Sequence, residues 1–194
     1  MAITTPLVTD KFTAYPGDVI STNLSLAVWL VDDYTQKTPA GYVNVKVKEG
    51  NVKAVKNLSG YYLFTDLPSG NYTVVSESGY YFSEETPVNT SLLDPKNPVL
   101  QIILKPRPAY PFPGNATLVR GRVSNANPVA NAVVKVVGKT IETKTDERGE
   151  FVLYFTGIKQ ESISIEVTKD AGIKTVNTTV EEGKTVSLGV ISFP

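Results

Sequence analysis

A chain of 194 residues with 41% hydrophobic residues has room for one large domain or two of about 90 residues with cores of their own, which excludes wholesale disorder. Its 19 basic and 19 acidic residues give a formal charge of zero, so no whole-chain field draws it to nucleic acid or to an anionic membrane. It contains no cysteine and no histidine, which removes disulfides, Cys or His metal ligands, and Ser-His-Asp or Cys-His catalysis.

Residues 1–22 have no clear period, and Pro6 with Pro16-Gly17 interrupts any element, so an extended N-terminal arm is expected; the alternative is a disordered tail, and a weaker reading packs the arm on a neighbouring subunit. The opening MAITTPLVTDKF has no basic stretch leading into an apolar one, and no run reaches the roughly 20 apolar residues that span a bilayer. Membrane insertion is therefore not expected. The expected location is cytoplasmic or within an intracellularly assembled particle; the alternative is the cell surface, if an export signal has been removed.

Residues 23–31 predict a strand, with Leu24, Leu26, Val28 and Leu30 alternating with Ser25, Ala27 and Trp29. Asp32-Asp33 ends it. Residues 42–48 predict a second, with Val43, Val45 and Val47 on a core face and Asn44, Lys46 and Lys48 on a wet one. Residues 52–56 repeat the pattern more briefly. Tyr61 to Thr65, the turn Leu67-Pro68-Ser69-Gly70, and Tyr72 to Val75 read as a hairpin. Strands over 88–93 and 99–104 close a first unit, residues 23–105. Prolines 106, 108, 111 and 113 cannot donate ladder hydrogen bonds, which marks residues 106–115 as a stiff Pro-rich linker.

The remaining residues, 116–194, repeat the first unit. A shift of 89 places Pro39 on Pro128, Val45-Lys46-Val47 on Val134-Lys135-Val136, Gly60 on Gly149, Tyr62 on Phe151 and Phe64 on Leu153 without a gap. Strands are expected near 117–123, 131–137, 140–145, 150–155, 162–168, 173–179 and 185–191. With no sustained helical period, the expected fold is all-β: two tandem seven-stranded antiparallel β-sandwiches of Ig-like or transthyretin-like type.

Gly121-Arg122-Val123, Asn127-Pro128-Val129-Ala130-Asn131-Ala132 and Thr145-Asp146-Glu147-Arg148-Gly149-Glu150-Phe151 in the second unit, and Leu67-Pro68-Ser69-Gly70-Asn71-Tyr72 in the first, resemble the carboxypeptidase regulatory-like (transthyretin-like) β-sandwich module. The resemblance covers residues of about 23 to 193 and its motifs speak to fold. It implies a structural, adhesive or accessory module, in metallocarboxypeptidases one beside a zinc peptidase domain that this sequence lacks. The first unit also resembles small proteins that accompany phage-tail-like contractile injection systems. In a related sandwich family a buried glutamate assists a Lys-Asn cross-link; its place is held here by Ser76, while Glu77 faces the other side of its strand.

No catalytic constellation emerges, and no cofactor or metal is expected. Asp32-Asp33, and Asp146 with Glu147 and Glu150, lack calcium-loop spacing and read as turn carboxylates that satisfy their own backbone. Asn23, Asn57, Asn71, Asn89, Asn115 and Asn177 each open an Asn-x-Ser/Thr triplet; the readings are a glycosylated surface protein or turn asparagines beside strand threonines. Neighbouring aromatics in a strand point to opposite sides, so not all can enter one core. Tyr61, Tyr80, Tyr81, Phe82, Tyr110 and Phe112 are the candidate interface, the other reading being packing where the units meet. The expected function is a non-catalytic structural or docking protein that binds other protein subunits, as in a phage-tail-like particle. The alternatives are a carbohydrate-binding or adhesion module, with Tyr80 and Tyr81 at the sugar, and an accessory domain of a separate hydrolase.

Overall fold

The computed structural model describes residues 22–194 and, ahead of them, the short antiparallel pair β1 (Leu7–Val8) and β2 (Thr13–Ala14). The arm expected over residues 1–22 otherwise lies outside the described residues. The first half then holds β3 (Leu24–Asp32), β4 (Asn44–Val47), β5 (Val52–Lys53), β6 (Val55–Lys56), β7 (Tyr62–Thr65), β8 (Asn71–Glu77), β9 (Glu84–Asn89) and β10 (Val99–Leu104). The second holds β11 (Thr117–Asn125), β12 (Asn127–Pro128), β13 (Val133–Val136), β14 (Glu142–Lys144), β15 (Glu150–Phe155), β16 (Gln160–Lys169), β17 (Gly172–Glu181) and β18 (Thr185–Ser192).

Each half stacks two sheets. The orders are β10-β3-β7-β6 over β5-β4-β8-β9, and β18-β11-β15, with β12 at the end of β11, over β14-β13-β16-β17. Alternation supplies the facing sides: Leu26, Val28, Leu30, Tyr62 and Phe64 of one sheet meet Val43, Val45, Val47 and Val74 of the other in a single buried cluster. Val119, Val123, Phe151, Leu153, Ile165, Val167 and Val180 do the same in the second half. Each such side chain, fully buried, contributes about 1.5–3 kcal/mol.

Three expectations are corrected by the pairing. The first and last strands of each half run parallel, β3 with β10 and β11 with β18, so these sheets are mixed rather than antiparallel. The run 52–56 is two strands: the chain leaves one sheet at Lys53 and joins the other at Val55, with the Ala54 N–H bonded to the Val45 carbonyl at 3.0 Å between them. The expected hairpin over 61–75 is a crossing between sheets, because β7 pairs with β3 and β6 while β8 pairs with β4 and β9. Pro68 sets that crossing, and the Tyr72 hydroxyl locks it by donating to the Pro68 carbonyl at 2.8 Å, as in a tyrosine corner. The strand expected over 88–93 also ends early, at Asn89, whose side chain accepts the Ser91 N–H at 2.9 Å and starts a short 3-10 turn.

Five pairings recur in both halves, while β6 with β7 and β11 with β12 have no counterpart. Tyr62 lies opposite Val28 and Phe151 opposite Gly121, so the offset of 89 at Tyr62 becomes 93 on the first strand. The connection after β3 is longer by those four residues. At the acidic corner Asp146 Oδ1 accepts the N–H groups of Arg148 and Glu150, both at 2.9 Å. Gly149 follows at φ +74°, where an added Cβ would stand 2.3 Å from the Val123 carbonyl oxygen.

Candidate functional site at the junction of the halves

The inward positions of β3 step by two through Leu26, Val28 and Leu30, and the next step puts Asp32 inside as well. Its carboxylate, 1% exposed, is bonded on both oxygens. Oδ1 accepts the backbone N–H of Tyr34 at 2.8 Å and of Thr35 at 3.2 Å, which turns the chain out of the strand. Oδ2 accepts the hydroxyls of Tyr81 at 2.8 Å and Tyr110 at 2.5 Å. The Tyr81 oxygen in turn accepts the Ala40 N–H at 2.8 Å. One carboxylate thus joins the end of β3, the β3–β4 and β8–β9 connections, and the segment after β10.

Burial first, and then the Asp32 carboxylate, push the phenols of Tyr81 and Tyr110 well above the ordinary tyrosine value. They are hydrogen-bond donors at any physiological pH. A second fastening crosses to the other half, where the Tyr154 hydroxyl on β15 donates to Asp33 Oδ2. Burial and then that carboxylate raise this phenol too.

Around these bonds the rings pack edge to face or tilted. Tyr34 meets Phe112 at 5.0 Å, Tyr154 at 5.5 Å and Tyr110 at 6.0 Å between centroids, and Tyr110 meets Phe112 at 4.6 Å and Tyr81 at 5.5 Å. Each such pair contributes about 0.5–1.5 kcal/mol beyond its buried area. Leu118 and Val152, on the outer face of β11 and β15, close the stack beneath Phe112. The rim is polar: Arg107 pairs with Glu147, Lys105 with Glu142 at 3.3 Å, and Arg120 Nη1 donates to the Pro108 carbonyl at 2.9 Å. Exposed pairs of this kind contribute at most about 1 kcal/mol each. A shallow cleft of about 250 Å³ between the halves is lined by Tyr34, Lys105, Ile141, Glu142 and Tyr154.

Four of the six aromatics singled out in the sequence meet here. Tyr81, Phe82 and Tyr110 are buried and Phe112 half-buried, all turned into the chain itself. Phe82 lies between the Arg107 guanidinium, 5.7 Å away, and the Lys144 ammonium of the second half, 5.1 Å away. Tyr61 and Tyr80 lie elsewhere. Tyr61 stacks on Trp29 at 4.8 Å on the outer face of its sheet, and Tyr80, 38% exposed, covers Gly41. The sequence reads Asp32-Asp33 as turn carboxylates, which Asp32 Oδ1 is, while Asp32 Oδ2 and Asp33 Oδ2 accept phenols; Tyr34 and Tyr154 are not among the expected site residues, and the inward parity of β3 is the signal for Asp32.

Both aspartates of the arrangement accept hydrogen bonds, Asp32 from two backbone N–H groups and two phenols and Asp33 from the Tyr154 phenol. Among the described residues no three His, Cys, Asp or Glu side chains come together as a metal site would require. At the place of the cross-link glutamate, Ser76 is buried, its hydroxyl unpartnered among the described residues. Glu77 points outward to Lys46 Nζ at 2.9 Å and Asn44 Nδ2 at 3.1 Å, contacts that hold its carboxyl below the usual range. Of the six sequon asparagines, Asn57 and Asn89 accept backbone N–H groups of their own turns.

No family model matches the chain, and no curated protein matches it. Among solved structures it is similar to the TIE protein of Bacillus anthracis, at 17% identity over 89% of this chain and 34% of that one, with a TM-score of 0.33. It spans about a third of that protein's length. It is also similar to GBS52, the minor pilin of Streptococcus agalactiae, at 12% identity over 87% of this chain and 95% of that one, TM-score 0.32. The shaft pilin SpaA of Lactobacillus rhamnosus GG is similar at 11% identity over 89% of this chain and 97% of that one, TM-score 0.31.

Proposed function

We propose that this chain is a non-catalytic structural element: two β-sandwich units, residues 23–105 and 116–194, fastened through residues 106–115 at a set mutual geometry to hold other protein subunits in register. The observation that carries this reading is Asp32, a buried carboxylate committed to phenols from two separate segments, with its neighbour Asp33 bonded to Tyr154 of the other half. A free tether would not pack both of its aromatics, the buried Tyr110 and the half-buried Phe112, between the units. The outer face of β3, β7, β6 and β10 offers a docking surface, with the Trp29–Tyr61 pair flanked by the exposed Val55 and Ile103. In a large assembly, a contractile phage-tail-like particle for instance, such an element serves as a spacer.

The test uses the absence of native cysteine. Spin labels at Leu58→Cys and Val190→Cys, both exposed positions, report one interprobe distance by pulsed electron paramagnetic resonance. A single narrow distribution that broadens in the Asp32→Asn, Asp33→Asn double variant is expected. A broad distribution in the unaltered chain would overturn the fixed geometry.

A second reading, sugar binding, is favoured by the Trp29–Tyr61 pair and not by Tyr80 and Tyr81, because Tyr81 is wholly buried. Trp29 is the one tryptophan in the sequence, so fluorescence titration with glycans reads that site alone, and an unchanged spectrum would remove it.

A further inference from the structure

The segment that fastens the halves reads Ala109-Tyr110-Pro111, with Gly114-Asn115 just beyond. Ahead of β3 the chain reads Ala14-Tyr15-Pro16, with Gly17-Asp18 just beyond; these are the two Tyr-Pro pairs of the sequence. The strands that follow are equivalent, since Leu26 of β3 faces Phe64 as Val119 of β11 faces Leu153. Tyr110 precedes Val119 by nine residues and Tyr15 precedes Leu26 by eleven. Each sandwich therefore follows a lead that carries a phenol at nearly the same distance. The phenol of the second lead enters the end of the preceding sandwich.

The receiving end also occurs twice. In the first half it is built from Asp32 at the end of β3, Leu104 beside it at the end of β10, the β3–β4 connection, and Tyr81 from the β8–β9 connection. In the second half Asn125 stands at the end of β11 and Phe193 just past β18, its N–H donating to the Ser124 carbonyl at 2.9 Å. The difference lies in the last connection. Residues 78–83 join β8 to β9, whereas Lys169 pairs directly with Gly172 across a turn of Asp170 and Ala171. Among the described residues this two-residue turn carries no aromatic side chain in the place of Tyr81. Among the described residues a hollow of about 500 Å³ lies at this spot, its lining including Asn125, Val129, Lys169, Asp170, Ala171 and Phe193. At the register position of Asp32 stands the exposed Asn125, whose Nδ2 donates to the Pro194 carbonyl at 3.0 Å, and Phe193 supplies an aromatic wall.

We propose that the Ala14-Tyr15-Pro16 lead of one copy docks into this hollow on a second copy, so that chains join head to tail by the contact that joins the two sandwiches within each chain. The inference rests on reading that internal contact as a fixed fastening. The surfaces involved are different on the two partners, so the contact leaves one lead and one hollow free at the ends and extends into a filament unless its rotation closes a ring. Within one chain the covalent link supplies an effective concentration of about millimolar, which a second copy has to reach in solution.

The test is sedimentation velocity of the 194-residue chain up to about 1 mM. Species growing with concentration beyond the monomer are expected. Tyr15→Ala and, separately, Ala171→Trp each abolish the growth, with thermal melts unchanged to show that both variants fold. Mixed together, the two variants form a one-to-one dimer and nothing larger, because one still offers the hollow and the other the tyrosine. A monomer at every concentration, growth that survives Tyr15→Ala, or a mixture that stays monomeric would each overturn the proposal. The spin-label distance reports the internal junction independently, so a failure there is distinguishable from a failure of self-association.

Discussion

Replacing Tyr81 and Tyr110 by phenylalanine, singly and together, tests whether Asp32 is the fastening of this fold. Each single change removes one hydroxyl and leaves the ring packing in place, Tyr110 still 4.6 Å from Phe112 and 5.5 Å from Tyr81. The loss is one hydrogen bond to a buried charge, about 1.5–3 kcal/mol. Tyr81→Phe also leaves the Ala40 N–H without its acceptor, so it falls at the upper end. In either single variant Asp32 Oδ2 keeps one phenol donor. In the double variant it keeps neither, and a buried carboxylate oxygen left unpartnered costs about 1–3 kcal/mol more. The double change should therefore exceed the sum of the singles by about that amount, measured by urea unfolding as a double-mutant cycle. Additivity within about 0.5 kcal/mol would refute a shared carboxylate and reduce both residues to ordinary core aromatics.

Alkaline titration followed by phenolate absorbance should leave Tyr81, Tyr110 and Tyr154 unionised in the folded chain, because burial and the neighbouring aspartates raise all three. A phenol raised above its unfolded value of about 10 contributes stability that is complete below that pH and declines above it toward the folded value, so melting temperature should fall above about pH 10; reversible ionisation of all ten tyrosines in the folded chain would contradict this. Gly149→Ala and Gly138→Ala share a φ near +75°, +74° and +76°, but only the first puts its Cβ against backbone. Urea unfolding should give about 1–2 kcal/mol of destabilisation at Gly138 from conformation alone and about 3–5 kcal/mol at Gly149 with the overlap added; equal losses would mean that the corner can move aside.

Much of the architecture is legible in single residues. The alternation of Val43, Val45 and Val47 identifies the inner face of β4, and Asp146 with Gly149 builds its corner from neighbours a few positions away. The boundaries of β10 and β15 coincide with the runs expected from the sequence, 99–104 and 150–155. These features are local, since the period of a strand and the φ demanded by a turn depend on residues within a few bonds of one another. Pairing is not local. Two strands that follow each other through Leu67-Pro68-Ser69-Gly70 have the pattern of a hairpin, and whether they bond to each other or cross to opposite sheets depends on β3 and β4, which compete for the same backbone groups. The aromatics divide for the same reason. Strand parity determined that some of them had to leave the core, but whether Tyr81 and Tyr110 then met water or a carboxylate was decided only when β3 carried Asp32 inside and the segment after β10 folded back over it.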